Sequence, residues 1–142
     1  MKYDYLGSPQ SDPAKPWRWR PWLEVQFIGE HGKKLKTVGL VDSGADEILL
    51  DEKLAPVLGV DLEKCEHGTT MGIGGEQQHF RRTILDLLVK HMEEPIRVPV
   101  CFTKLSVACL LGQEGFFDDY KVRFERDHKT FELVPVKKSG KV

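Results

Sequence analysis

The chain has 142 residues, which suffices for one domain with a sizeable core but not for two. Its formal net charge is −1, so charge gives no support for a nucleic-acid partner or for binding to a membrane surface. No apolar run is as long as a membrane span, and the first residues lack the apolar stretch of a secretory signal, so we expect a cytoplasmic protein without a membrane partner.

The spacing of cysteine and histidine gives no metal motif. Cys65, Cys101 and Cys109 form an odd set without ligand spacing, which indicates buried or free thiols in a reducing cytosol. The five histidines are scattered and contain no HxxxH pair. We therefore expect neither a metal nor a cofactor.

The first 22 residues fall into two parts. Residues 1–16 are rich in Pro, Ser, Asp and Lys, a composition that predicts a flexible N-terminal arm. Residues 17–22 interleave tryptophan with arginine, which suits stacking on bases but suits better a strand whose tryptophan face packs on the domain. One such patch in a slightly acidic chain is weak evidence for nucleic acid, and we expect no nucleic-acid partner.

Alternating apolar residues predict the next strands. One strand spans 23–27, a second spans about 35–41 and ends at Asp42, and a third spans 48–50. Residues 51–59 are predicted to form a helical segment, with an aspartate as its N-cap and a glycine at its end.

Residues 63–89 are predicted to form a long β-hairpin with its tip at 71–75. Three glycines around Ile73 make this tip flexible and leave its backbone N–H groups accessible. An ordinary loose hairpin is the plain alternative. A phosphate-binding loop is rejected, because no Lys-Ser/Thr pair follows the glycines.

The last third of the chain continues in strands. Residues 96–100 alternate, and Pro99 predicts an edge position or a bulge. The continuous apolar run at 107–112 is typical of a strand buried on both faces. A short helical segment at 115–120 then leads into a closing hairpin over 120–135.

These elements predict one domain with two flanking segments. Many short strands and little helix favour an all-β, barrel-like domain over 17–136. The arm at 1–16 precedes this domain, and a basic C-terminal tail at 137–142 follows it.

The tripeptide Asp42-Ser43-Gly44 carries the chemistry. Its apolar flanks place Asp42 at a strand end inside the protein, where an ionised carboxylate is costly unless it is hydrogen-bonded, paired or neutralised. Ser43 offers a hydrogen bond, and Gly44 allows close approach of the backbone. The same tripeptide is a common turn, so by itself it is weak evidence for catalysis.

Three features in one order carry a family resemblance. Asp-Ser-Gly-Ala at 42–45, Gly-Ile-Gly-Gly at 72–75 and Leu-Leu-Gly at 110–112 together resemble the retropepsin-like aspartic proteases, which include retroviral proteases and cellular single-domain relatives. The resemblance spans roughly residues 22–136. It implies a closed all-β acid-protease barrel with a β-hairpin flap and one or two short helices, acting as an aspartic endopeptidase on a peptide or protein substrate.

The resemblance also implies a role for each matching residue. Asp42 supplies the catalytic carboxyl, Ser43 locks the two active-site loops together across a dimer, and Gly44 completes the loop. The implied substrate-binding residues are Ala45, Asp46, the flap residues Gly72, Ile73, Gly74 and Gly75, and Leu110 behind the active-site loop.

Catalysis of this kind requires two carboxyls, and the chain has one Asp-Ser-Gly. The second carboxyl must come from a second copy, so we expect a homodimer. Two departures limit the match. Gln113 stands where retroviral enzymes commonly have an arginine that pairs with the acid matching Asp46, and a C-terminal hairpin replaces a short interface strand, which leaves the dimer surface open.

Two alternatives remain beside the protease. The first is a catalytically silent retropepsin-like module that binds peptide or dimerises. The second is a nucleic-acid-binding β-barrel that uses residues 17–22. The intact Asp42-Ser43-Gly44 favours the protease over the module, and the module over the nucleic-acid barrel.

Overall fold

A computed structural model of the protein describes residues 1–71 and 75–137. The described residues form mainly strands, with a few short helical turns between them. The strands are β1 (Lys2–Asp4), β2 (Leu6–Pro9), β3 (Trp17–Arg20), β4 (Trp22–Ile28), β5 (Lys34–Val41), β6 (Ile48–Asp51), β7 (Glu66–Met71), β8 (Gln77–Val89), β9 (Ile96–Thr103), β10 (Cys109–Leu111), β11 (Tyr120–Glu125) and β12 (Thr130–Pro135). The 3₁₀ turns are Glu30–Gly32, Glu52–Leu54, Pro56–Leu58, Leu62–Lys64 and Arg126–His128, and a π-helical turn spans Gln113–Phe117.

Alternation of apolar and polar residues accounts for the strands predicted in the first part of the domain. In β4, Leu23, Val25 and Phe27 are buried while Glu24 is exposed. The predicted strands at 23–27, 35–41 and 48–50 are confirmed, each extended by a residue or so at one or both ends.

The largest sheet has seven strands in the order β4-β5-β10-β6-β9-β8-β7. β4 also pairs with β8, so six of these strands form a ring of hydrogen-bonded neighbours, with β7 outside the ring. The parallel pairs are β5 with β10 and β6 with β9. Among the largest fully buried side chains are Phe27, Phe102, Phe116, Phe131, Leu23, Ile48 and Leu50. The all-β prediction is confirmed.

Pro99 lies within β9, which runs between β6 and β8. Pairing with β6 begins only at Val100, opposite Ile48, whereas pairing with β8 already includes Pro99 opposite Ile84. Pro99 therefore stands where β9 has a neighbour on one side only, which is where a residue without an N–H is tolerated.

The predicted N-terminal arm contains two strands. β1 pairs with β12, and Tyr5 between β1 and β2 is 6% exposed within the main core. β2 pairs with β3, which contains the predicted tryptophan strand, and Trp19 packs on the core while Trp17 is 53% exposed. The structure therefore differs from the predicted flexible arm over residues 1–9. The rings of Tyr3 and Tyr5 there both pack against Phe131 of β12.

The C-terminal half matches the predicted pattern with one difference. β11 and β12 form the predicted closing hairpin, and the helical turn before it spans Gln113–Phe117. The apolar run at 107–112 yields only the three-residue strand β10, since Ala108 is exposed. The predicted tail at 137–142 lies outside the described residues except for Lys137, and the domain bounds stay a proposal. In the described part of the chain no helix combines the length and apolarity needed to cross a membrane.

Candidate active site

The residue singled out by the sequence, Asp42, directly follows β5. β5 lies between β4 and β10, so its last residue, Val41, is buried, while Asp42 is half-buried where the strand ends. The Asp42 N–H donates to the carbonyl of Leu111 at 3.0 Å, which continues the β5–β10 ladder by one residue. The predicted strand-end position is confirmed, and the carboxyl group is only partly shielded within one chain.

The loop after Asp42 is a tight turn. The Gly44 N–H donates to Asp42 Oδ1 at 2.9 Å, and the Ala45 N–H donates to the Asp42 carbonyl at 3.1 Å. Ser43 and Gly44 are exposed, as is Asp46. The turn fixes the direction of the Asp42 carboxyl group and leaves its second oxygen without a hydrogen bond inside the described residues.

A second segment, Gly112 to Glu114, holds this loop from behind through backbone groups. The Gln113 N–H donates to the Ala45 carbonyl at 2.9 Å, and the Glu114 N–H donates to the Asp46 carbonyl at 2.8 Å. The Gln113 side chain adds a bond from Nε2 to the Ser43 carbonyl at 2.7 Å. The three bonds fix the carbonyls of Ser43, Ala45 and Asp46, so the conformation of the loop is determined by the chain after β10.

Gly112 is required by close packing of two backbones. A Cβ atom there would lie 2.3 Å from the carbonyl oxygen of Glu47 and 2.5 Å from that of Ala45. Neither oxygen can rotate away, because each belongs to the main chain. The glycine of Leu110-Leu111-Gly112 therefore has a physical function next to the site.

The other residues that the sequence singled out are Asp46, Leu110, Gln113 and the four residues at 72–75. Gln113 bonds the loop backbone in place of an arginine, and Asp46 makes no ion pair within the described part of the chain. Leu110 is half-buried in β10, between Leu40 and Leu49. Gly75 has a φ of +82°, and Gly72, Ile73 and Gly74 lie outside the described residues.

Glu47, which the sequence did not single out, belongs to a polar cluster beside the loop. Its Oε1 accepts from Arg82 on β8 at 2.5 Å, and its Oε2 accepts the thiol hydrogen of Cys101 on β9. Arg82 and Cys101 are cross-strand partners in the β8–β9 pairing. The sequence offered one signal for Glu47, a carboxylate directly before the apolar run at 48–50. Its two partners could not be inferred in the same way, because they are 35 and 54 residues away in sequence.

All three cysteines are free thiols, as predicted. Burial raises the pKa of the Cys101 thiol from 9.0 to about 12, and its hydrogen bond to the Glu47 carboxylate adds to the rise. Cys101 is therefore protonated at neutral pH and acts as a hydrogen-bond donor. Within the described residues, no three His, Cys, Asp or Glu side chains are grouped so that they could hold a metal ion.

The site is an open loop in a single chain and not a cavity. A groove of about 510 Å³ lies elsewhere, lined by residues of β4 and β5 and the end of β8, among them Val25, Val38 and Met92. None of the residues that line this groove belongs to the loop at 42–46. An open loop is expected if a second surface completes the site.

Comparison with known proteins defines the fold. No family model matches the chain, and no curated protein matches it in sequence. Its structure is similar to that of a retropepsin-like aspartic protease from Rickettsia conorii, with 21% identity, a TM-score of 0.55 and coverage of 80% of this chain and 89% of that chain. A retroviral protease-like domain of Ddi1 from Leishmania major is similar at 16% identity, a TM-score of 0.49 and coverage of 85% and 98%.

The chain therefore has the retropepsin-like fold, the fold of an aspartic-protease-type or protease-like domain. This confirms the fold that the three motifs predicted. Identity at this level defines the fold and leaves the activity to be argued from the site itself.

The packing at Gly112 gives a stability prediction. Gly112→Ala should lower the free energy of unfolding by about 3 kcal/mol or more, at the upper end of overpacking effects, because its Cβ collides with main-chain oxygens. Gly32→Ala is the comparison: its φ is +72° with no atom within 4 Å, so only backbone strain of about 1 kcal/mol is expected. Denaturant unfolding of both variants measures the difference, and equal losses would contradict the packing account.

The raised pKa of Cys101 gives a pH prediction. In the unfolded chain this thiol ionises near 9.0, whereas in the folded chain it stays protonated to about 12. The folded state binds the extra proton in this window, so the free energy of unfolding should fall as pH rises from about 9 toward 12. Denaturant titrations at several pH values should show a shallower fall for Cys101→Ala, and an unchanged slope would refute the assignment.

Proposed function

We propose that the protein is an aspartic endopeptidase that activates water with two Asp42 carboxyl groups, one from each subunit of a homodimer. The observation that carries the proposal is the loop at 42–46. It presents a half-buried carboxyl group beside exposed Ser43 and Gly44, and Gly112 to Glu114 bind it rigidly from behind. The retropepsin-like fold of the chain supports this reading of the loop.

The proposed reaction needs two carboxyl groups that share one proton. The ionised Asp42 takes a proton from water as the water oxygen bonds to the peptide carbonyl carbon, and the protonated Asp42 of the other subunit gives its proton to the carbonyl oxygen. The tetrahedral intermediate then returns that proton to a carboxylate, and the C–N bond breaks as the nitrogen takes a proton from a carboxyl group. The products are a carboxylic acid and an amine, and the pair again holds one proton.

The exposure of the loop after Asp42 in a single chain supports the proposed dimer. The sequence contains one Asp-Ser-Gly, and Ser43 and Gly44 are exposed in a single chain. A second copy related by a two-fold axis would bring a second loop to the same place and cover these residues. It would also exclude water around the carboxyl pair, which strengthens the electrostatics on which the proposed reaction depends.

The remaining candidate residues receive substrate roles within the proposal. The hairpin of β7 and β8 acts as a lid, with Gly72, Ile73, Gly74 and Gly75 at its tip over the peptide. Ala45, Asp46 and Leu110 line or support the cleft. The substrate is a peptide or protein, and the expected cytoplasmic location, with no nucleic-acid or membrane partner, stays part of the proposal.

One observation favours a second candidate, a catalytically silent module with the same fold. The bond from the Gly44 N–H to Asp42 Oδ1 shows that the carboxyl group stabilises its own turn, and a turn of this kind needs no catalysis. The module would bind peptide or dimerise through the same surfaces. Activity of the wild type against its Asp42 variant separates the two candidates.

Asp42→Asn should lower peptidase activity about 10³-fold, because an amide keeps the shape of the group but cannot transfer the proton. Asp61→Asn is the matched control, since Asp61 Oδ1 also accepts a backbone N–H two residues ahead, at 3.1 Å. Peptide-library cleavage and thermal unfolding should be measured on both. Full activity in folded Asp42→Asn would contradict the catalytic assignment, and an inactive wild type would favour the silent module.

Mixing chains tests the shared site. When wild type and Asp42→Asn are combined in equal amounts and allowed to exchange, random pairing leaves about one quarter of the dimers with two aspartates. Activity per total chain should therefore fall to about one quarter of the pure wild-type value, because a dimer with one aspartate is inactive. Independent monomeric sites would give about one half, and that result would contradict the homodimer.

A further inference from the structure

Glu47 stands five residues after Asp42 and directly before β6, so it is part of the segment that forms the candidate site. Its ion pair with Arg82 is partly buried: the two side chains are 25% and 29% exposed, respectively, and the N–O distance is 2.5 Å. A shielded pair of this kind is less weakened by solvent and salt than a surface pair. We call residues 42–47 the catalytic segment, and this contact joins that segment directly to β8.

Arg82 lies where the hairpin leaves the main sheet. The β8–β9 pairing ends with Arg82 opposite Cys101 and Arg81 opposite Phe102. Beyond that point, residues 77–80 of β8 pair only with β7 within the described chain. We call residues 68–71 and 77–80 the hairpin arms, and Arg82 is at their root.

A continuous set of contacts leads from Arg82 into the hairpin arms. Its guanidinium carbon lies 5.6 Å from the centroid of the Phe80 ring. That ring covers Gly68 on the opposite arm so closely that a Cβ there would lie 2.3 Å from the ring. Thr103 adds a bond from Oγ1 to the His79 carbonyl at 2.8 Å. The direction of the arms is therefore tied to the position of Arg82.

The cluster depends on the carboxylate of Glu47. Arg82 Nε is buried and has no hydrogen-bond partner, so the guanidinium already lacks part of its solvation. Removing the Glu47 charge leaves a shielded cation without its partner, which is the costly way to break such a pair. Protonated Cys101 donates to the second oxygen of Glu47 and so holds the carboxylate in place.

We propose that Glu47 and Arg82 are positioning residues that fix the root of the hairpin arms against the catalytic segment, and thereby set where the arms lie relative to Asp42. The inference rests on the proposed function, because it gives the hairpin a role in covering substrate. Neither residue touches the reacting atoms. Their effect is on where the hairpin arms lie, and hence on how tightly the substrate is held.

Kinetics provide the first test. Arg82→Gln should raise KM about 10-fold and change kcat less than about 3-fold, because displaced hairpin arms lose substrate contacts that are made equally in the ground and transition states. Arg82→Lys keeps the charge and should recover part of the loss, and Glu47→Gln should act in the same direction as Arg82→Gln. The double variant should cost less than the sum of the single variants, since both remove one interaction.

Arg97→Gln is the matched control. Arg97 on β9 pairs with Asp86, which lies on β8 as Arg82 does, at 3.2 Å, but the Arg97 side chain is 69% exposed and its ion pair involves neither the catalytic segment nor the hairpin arms. KM should stay at the wild-type value in this variant. A tenfold rise in KM for both arginine variants would show that the effect is not specific to the Glu47–Arg82 pair, and would overturn the proposal.

Amide hydrogen exchange tests the proposal without using activity. Exchange at residues 68–71 and 77–80 should be about 10-fold faster in Arg82→Gln and in Glu47→Gln than in Arg97→Gln, while exchange in β4 and β5 stays unchanged. Unchanged exchange in the hairpin arms, or equal acceleration throughout the chain, would overturn the proposal. If the wild type cleaves no peptide but the arms respond as expected, the proposed function fails and the structural link from Glu47 to the arms stands.

Discussion

The candidate site depends on a contact between two backbones. The carbonyls of Ser43, Ala45 and Asp46 are each bonded from the segment at 112–114, and Gly112 lies so close to the loop that no side chain fits between them. Backbone groups cannot adopt alternative rotamers, so this contact sets the loop conformation more tightly than side-chain packing would. A functional carboxyl group requires such a rigid support, because catalysis is sensitive to small displacements of the reacting groups.

Under the proposed function, the same arrangement leaves one chain with half of a site. β5 and β10 run parallel side by side and deliver the Asp42 loop and its supporting segment to the same edge of the sheet. The loop faces outward there, with Ser43 and Gly44 exposed, and the chain contributes one carboxyl group in this setting. The proposed two-fold axis through the site would reconcile two-carboxyl chemistry with an exposed loop that carries one carboxyl group. Glu47 and Arg82 add a link from this loop to the hairpin, so the proposed lid and the proposed acid share one support.

Most of the fold was predictable from local patterns, whereas the polar contacts were not. Alternation marked the strands around Phe27, and the apolar flanks of Asp42 marked a strand end. The strand β1 was not predicted, because Pro, Ser and Asp dominate residues 1–16 and hide the apolar contribution of Tyr5. The cluster of Glu47, Arg82 and Cys101 could not be predicted, since it depends on the register of β8 and β9, which sequence periodicity does not fix.

The stoichiometry of inhibitor binding tests the central claim, that two Asp42 groups make one site, most directly. A pepstatin-type inhibitor mimics the tetrahedral intermediate and occupies the space between two carboxyl groups. Calorimetric titration of the wild type should saturate at about 0.5 inhibitor per chain, and Asp42→Asn should bind far more weakly. Saturation at about one inhibitor per chain, in a protein that remains active, would contradict a site shared between two subunits.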